Sequence, residues 1–243
     1  MEFPLTPAEW SLATGVLLVC AIIQGSIGFG VGLLGAPLLF LINPQLVPAP
    51  VIIVGMVLPM MILVRDWRGV QFSDVGWALP GTLTGTALGA ALLGRISADG
   101  LSLLFGSLVL LGVAISSVGY VPALRPRNIV AAGGLSGFMA TTTSIGGPPL
   151  ALAFQTVHGQ RLRGTLSAVF FPGGILALAA LYTVGRFGLT ELLAGLSLLP
   201  AITAGFWISG YTARMLDRRW LRPVLLVFSA LAGLAAIVGA LSP

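Results

Sequence analysis

The chain contains no lysine, one histidine, one cysteine and seven carboxylates among its 243 residues. Each scarcity excludes something. Cys20 has no partner within the chain, so no disulfide framework is possible. A single Cys20 and a single His158, far apart in sequence, supply neither a metal-ligand cluster nor a nucleophile with its base. No metal, no cofactor and no enzymatic activity are expected. None of Glu2, Glu9, Asp66, Asp74, Asp99, Glu191 and Asp217 lies in the middle of an apolar segment, which argues against a buried carboxylate proton relay.

Charged residues make up 8% of the chain and hydrophobic ones 57%, with a mean hydropathy of +1.04. Soluble proteins carry about 25% charged residues. From Ser11 to Val64 there is no charge at all, enough chain for more than two bilayer crossings at roughly 20 residues each. The start, MEFPLTPAEW, lacks the basic region and small-residue cleavage site of a signal peptide, so the first apolar segment is expected to stay. The composition specifies an all-α membrane protein in contact with the lipid bilayer. The net charge of +5 comes from arginines scattered in short loops, which serve as topology signals and not as a nucleic-acid surface.

What the chain has in quantity is glycine, 33 residues, and a repeat. GSIGFGVGLLGAPLL (25–39) and GFMATTTSIGGPPLA (137–151) align with Gly25 opposite Gly137, Gly35 opposite Gly147, Pro37 opposite Pro149 and Leu38 opposite Leu150. Downstream, Pro59 falls opposite Pro172, Leu79-Pro80 opposite Leu199-Pro200, Gly85 opposite Gly205 and Leu101 opposite Leu221. The chain reads as two transmembrane repeats, 1–122 and 123–243, joined by VPALRPRN (121–128), whose Pro122 and Pro126 stop the preceding helix. Glycine and proline interrupting matching apolar segments in both halves point to a transporter binding site.

Apolar runs predict helices near 10–26, 30–43, 46–64, 75–94 and 101–121, repeated near 128–142, 146–157, 164–184, 191–212 and 221–241. The second segment of each half is shorter than the 17 or so residues a crossing needs, so these are candidate half-helices, re-entrant or partly crossing. Five segments per half is an odd number, which makes the repeats inverted in topology. Counting loops alternately, one side receives Arg65, Arg68, Arg125, Arg127, Arg161, Arg163, Arg214, Arg218, Arg219 and Arg222, and the other only Arg95 and Arg186. By the positive-inside rule the first side is cytoplasmic and both termini face out. Trp10, Trp67, Trp77 and Trp220 fall at span ends, where indole rings anchor at headgroup level; Trp207 falls deeper, where packing is the usual role.

Glycines Gly81, Gly85 and Gly89 recur every four residues and clear one helix face for a close neighbour. Gly25, Gly28, Gly30 and Gly32 are too dense for packing, since each costs a helix about 1 kcal/mol, and predict local unwinding. Unwound backbone in a membrane is tolerated only where it lines a protein cavity. The half-helix that follows offers free N–H groups to an anion. The candidate substrate-binding set is therefore Gln24, Ser26, Gly28, Gly30 and Pro37 in the first motif, with Thr141, Thr142, Thr143, Ser144, Gly146, Gly147 and Pro149 in the second. An isolated Thr usually bonds back to its own helix carbonyls. Four consecutive hydroxyls at a repeat-matched break instead suggest ligand contact. His158 follows the second half-helix in VHGQRLRG, a loop position open to a plain structural or a gating role.

On QGSIGFGVGLLGAPLL (24–39) and GGLSGFMATTTSIGGPPLAL (133–152), with the order of spans over nearly the whole length, the chain resembles the TauE/SafE family of bacterial sulfite and organosulfonate exporters. It departs from the family pattern at Val31 and Ala36. The resemblance implies an inner-membrane exporter of sulfite or a similar small sulfur oxyanion or organosulfonate. The residues alone imply a small solute of anionic character, leaving a carrier of another small anion, a passive anion channel and a non-transporting assembly subunit as alternatives. The topology has a direct check: a periplasm-dependent reporter enzyme fused after Pro243 is expected to be active, and activity confined to a cytoplasm-dependent reporter would invert the assignment.

Overall fold

The computed structural model describes residues 5–27, 31–117, 122–212 and 218–241. Among them the chain is all helical. The elements are α1 (Pro7–Ile27), a π-turn (Val31–Gly35) running into α2 (Ala36–Ile42), α3 (Ala49–Asp66), α4 (Phe72–Leu93), α5 (Ala98–Ser117), α6 (Pro126–Thr143), α7 (Gly147–Ala153), α8 (Gly159–Thr183), α9 (Leu189–Thr212) and α10 (Arg218–Leu241). The ten segments expected from hydropathy are all present. Their ends differ by a few residues, and α7 stops four residues early. Among the described residues, five helical segments are long and apolar enough to cross a membrane: Ala49–Gly69, Gly100–Ser117, Gly159–Thr183, Leu189–Ser209 and Pro223–Leu241. At seven residues each, α2 and α7 are about 10 Å long and cannot cross alone.

Local chemistry sets several ends. Thr6 and Glu9 form a reciprocal cap on α1: the Thr6 amide donates to Glu9 Oε2 at 2.8 Å, and the Glu9 amide to Thr6 Oγ1 at 3.3 Å. Asn43 Nδ2 donates to Glu9 Oε1 at 3.1 Å, which brings the end of α2 back beside the start of α1. The α6–α7 pair folds back in the same way, because Ile129 near the start of α6 shares a buried cluster with Ala153, Phe154 and Val157. α1 with α2 and α6 with α7 thus each form a helical hairpin.

Without water to drive apolar surfaces together, membrane helices associate through close packing, and small residues set how close the backbones come. The α4–α6 contact is built this way. A Cβ on Gly81 would strike the Val130 carbonyl, one on Gly85 the Gly134 carbonyl, and one on Gly137 the Thr82 carbonyl. The glycine face of α4 is a packing face, as its spacing indicates. Gly205 on α9 does the same against α1, where a Cβ would lie 2.6 Å from the Leu18 carbonyl oxygen. Gly106 on α5 sits 2.5 Å by the same measure from the Gly233 carbonyl of α10. Packing partners exchange when each helix is replaced by the one five places on: α4 on α6 becomes α9 on α1, α4 on α8 becomes α9 on α3, and α3–α8 and α5–α10 map onto themselves.

Lipid-facing surfaces are equally clear. On α10, Val224, Val227, Phe228, Leu231, Leu234 and Val238 are exposed at helical spacing, while Leu225, Ser229, Ala232 and Ala236 are buried. Trp207 is 73% exposed, so the packing role expected for it is not its role here; its ring points out of the bundle. At the arginine-rich end of α3 and α8, Asp66 is 4% exposed and accepts from Arg163 Nε at 2.7 Å and Arg65 Nη2 at 3.2 Å. Gly164 lets the strands of backbone meet there, with a Cβ placed 2.6 Å from the Asp66 carbonyl.

The glycine packing makes a stability prediction. Gly85→Val is expected to lower stability by at least about 1–3 kcal/mol, the usual cost of overpacking. Gly15→Val, where a Cβ meets nothing within 4 Å, serves as the control. Thermal midpoints of the two purified variants in detergent check this; equal midpoints would contradict the contact.

Candidate functional site

The second repeat motif breaks the helix where expected. α6 ends at Thr143, and Ser144 adopts φ 63°, ψ 13°, the one positive φ outside glycine among the described residues. A left-handed non-glycine residue costs of order 1–3 kcal/mol and persists only where its surroundings hold it. Two contacts do so: the Ser144 amide donates to the Ala140 carbonyl at 2.9 Å, and its hydroxyl donates to the Pro48 carbonyl at 2.9 Å. Two residues on, the Gly146 carbonyl accepts from the Ser136 hydroxyl. Gly146 has no room for a side chain, since a Cβ would lie 2.7 Å from the Ala140 Cβ.

A helix start leaves four N–H groups unpaired. For α7 they belong to Gly146, Gly147, Pro148 and Pro149, and the two prolines carry none. The donor set is thereby cut to the two glycine amides, and both glycines line a cavity of about 210 Å³. With seven residues, α7 supplies local donors rather than an extended macrodipole.

The described part of the first motif is arranged differently. α1 stays helical through Gly25 and Ser26 to Ile27, and Val31–Gly35 is helical, with Gly32 inside a π-turn and Gly35 in αR geometry. Pro37 is buried in the first turn of α2, whose start continues the π-turn and is not a free helix end. Gly25 and Gly32 are therefore not unwound. Their helical cost is outweighed by that of unpaired backbone in a bilayer. Gly28 and Gly30 lie outside the described residues, as do the side chains of Gln24 and Ser26.

The two motifs meet. A Cβ on Gly32 would lie 3.3 Å from the Ser144 carbonyl oxygen, and 32 and 144 are equivalent positions in the repeat alignment. Gly32, Ser144, Gly146 and Gly147 line the cavity together with residues of α3 (Ile52, Gly55, Met56, Pro59), α4 (Thr82), α6 (Ser136, Gly137) and α8 (Phe170, Gly173, Gly174). No charged side chain lines it, and its polar groups are three hydroxyls and main-chain atoms. At about 30 Å³ per water, the space holds a few waters or one small polyatomic ion.

Thr141, Thr142 and Thr143 are fully buried but do not line the cavity. Their hydroxyls donate to the carbonyls of Gly137 (2.8 Å), Phe138 (2.8 Å) and Met139 (2.7 Å), the self-satisfying pattern of intrahelical threonine. Pro149 is buried beside the cavity-lining Pro148. His158 is an exposed residue preceding α8 and is no part of the site. Among the described residues there is no cluster suited to a metal.

Sequence reasoning missed Thr82, Ser136, Gly173 and Gly174. Ser136 directly precedes Gly137 of the repeat motif, and Gly173-Gly174 directly follow the repeat-matched Pro172, so proximity to the aligned positions was the available signal. Thr82 gave none, lying in a stripe that packs.

The αL turn makes its own prediction. Ser144→Val is expected to destabilise the protein by about 1–3 kcal/mol relative to Ser144→Gly, because only the former forces a branched Cβ into left-handed backbone. Thermal melting in detergent decides it, and a Val variant as stable as the Gly variant would show the turn to be unconstrained.

No curated protein and no solved structure matches the chain. A family model does: the one described as Sulfite exporter TauE/SafE matches residues 12–236, nearly the full length. A multi-pass helical membrane protein whose two Gly/Pro-rich motifs both contribute to one uncharged cavity, this chain belongs to the TauE/SafE sulfite exporter family.

Proposed function

We propose that the protein exports sulfite, or a closely related small sulfur oxyanion or organosulfonate, from the cytoplasm by alternating access. The observation that carries this is the meeting of the repeat-equivalent positions Gly32 and Ser144 at a cavity that offers amide and hydroxyl groups and no fixed charge. A small oxyanion is accepted there by the amides of Gly146 and Gly147, and the hydroxyls of Thr82, Ser136 and Ser144, which donate to the Ala78, Gly146 and Pro48 carbonyls in this structure, join by turning from those carbonyls to the ion. Thr141–Thr143 hold the end of α6 in shape. Neutral donors bind an anion without trapping it, since the solute surrenders hydration but meets no unit charge that would hold it.

In this proposal residues 1–122 and 123–243 are inverted repeats. The α1–α2 hairpin enters from the outer side, and the α6–α7 hairpin enters from the arginine-rich cytoplasmic side. The exchange of packing partners between halves supports this arrangement. Rocking of one repeat against the other exposes the midplane site alternately. Pro59 on α3 and Pro172 on α8, both inside helices, supply bend points on two helices that line the site.

Energy comes from the membrane potential. Expelling one negative charge from a negative interior releases about 2.3 kcal/mol per 100 mV, equivalent to a gradient of roughly fiftyfold. No carboxylate is needed for coupling, in keeping with a cavity lined by none. Sulfite flux in proteoliposomes at clamped potential and zero pH gradient is expected to rise with interior-negative voltage and to show saturable counterflow. Flux indifferent to voltage would contradict electrogenic transport, and unitary currents without counterflow would make the protein a channel.

A further inference from the structure

Thr86 on α4 breaks a rule that its neighbours keep. Thr82 and Thr84 on the same helix, Thr141, Thr142 and Thr143 on α6, and Thr203 on α9 all return their hydroxyls to carbonyls three or four residues back. The Thr86 hydroxyl is 1% exposed as a residue and has no hydrogen-bond partner among the described residues. A buried hydroxyl left unpaired is unfavourable and calls for an explanation; the Thr14 hydroxyl on α1 is also without a partner, but of the two only Thr86 lies on the helix face that carries the cavity-lining Thr82.

Its position suggests the partner. Thr86 does not line the cavity in this structure; it lies one turn beyond the cavity-lining Thr82 on the same face of α4, and that face continues to Ala90 and Leu93. Leu93 belongs to a buried apolar cluster with Ala49, Ile52, Ala177 and Leu181. Two members, Ile52 and Ala177, line the central cavity, and two others, Ala49 and Leu93, line a second cavity of about 470 Å³ at the opposite end of α3 from Asp66. The cluster is thus a septum with one cavity on each face. Arg186 lines the second cavity and donates from Nε to the Leu93 carbonyl at 3.2 Å and from Nη2 to the Ile96 carbonyl at 3.3 Å, tying the septum end of α4 in place.

We propose that Thr86 is a substrate-contact residue on the exit route: its hydroxyl donates to the departing oxyanion between the central cavity and the outer one, and Ile52, Leu93 and Leu181 are the apolar gate that the anion then passes. This rests on the export function proposed above and assigns it a direction through the molecule. The arginine-rich end, closed by Asp66 and Arg163, is the opposite gate.

The test has two arms on the full-length protein in proteoliposomes. Thr86→Val keeps the shape and removes the hydroxyl. It is expected to melt no lower than wild type while losing about tenfold or more in kcat/KM for sulfite, the scale of one hydrogen bond to a charged group, and Thr86→Ser restores transport. A purely structural Thr86 predicts instead unchanged transport in Thr86→Val, which would overturn the contact. In the second arm, Met56→Cys in a Cys20→Ser background is probed with a membrane-impermeant thiol reagent added from the outer-cavity side. Leu93→Ala, or Leu181→Ala if the former fails to fold, is expected to raise its labelling rate at least about tenfold, and Asp66→Asn is not. Labelling that responds to Asp66→Asn alone would place the route elsewhere. Because labelling needs no substrate, it decides the gate even if wild type moves no sulfite, an outcome that would count against the export function itself.

Discussion

A peptide group inside a bilayer has no water to turn to, so every N–H and C=O must find a partner within the protein or face a cavity. The architecture follows from where the chain meets this demand and where it does not. Along α1, helical pairing continues through Gly25, a residue that weakens helices in water, because an unpaired amide in lipid costs more than glycine entropy. Between Thr143 and Gly147 the pairing stops, and Ser144 is held in left-handed geometry by bonds to Ala140 and Pro48. Pro148 and Pro149 remove two amides that would otherwise be orphaned there, which leaves Gly146 and Gly147 to face the cavity.

Glycine serves this arrangement in two ways. On α4 and α6 it lets backbones touch, so that the helices carrying Thr82 and Ser136 are fixed with respect to each other. At Gly32 and Gly146 it lets one break approach the other and its own hairpin. On α8, Gly173 and Gly174 let Thr82 and Met56 come close, a Cβ lying 3.3 Å from Thr82 Cγ2 and 2.6 Å from Met56 Cγ, and all four residues line the cavity. A site without fixed charge suits a transporter of a charged solute, because release must be as accessible as capture.

Much of this was legible in the chain. Hydropathy located ten segments, the aligned Gly and Pro positions located the second break, and four-residue glycine spacing marked the α4 packing face. What failed was whatever depends on a rotamer or on tertiary neighbours. The hydroxyls of Thr141–Thr143 read as a ligand-binding row, yet each turns back on its own helix. Thr82 and Ser136 became visible only when α4, α6 and α8 were brought together. Trp207 read as a buried residue because it sits deep in a span, but depth in the membrane does not distinguish a lipid face from a core face.

The central claim is that a small oxyanion rests between Gly32 and the amides of Gly146 and Gly147. Selenite, the selenium counterpart of sulfite, carries its own anomalous scatterer, so diffraction from crystals soaked in it locates the ion without ambiguity. The account predicts an anomalous peak within hydrogen-bond distance of the Gly146 and Gly147 amides that is lost on competition with sulfite. A peak confined to the arginines at the surface, with the cavity empty, would contradict it.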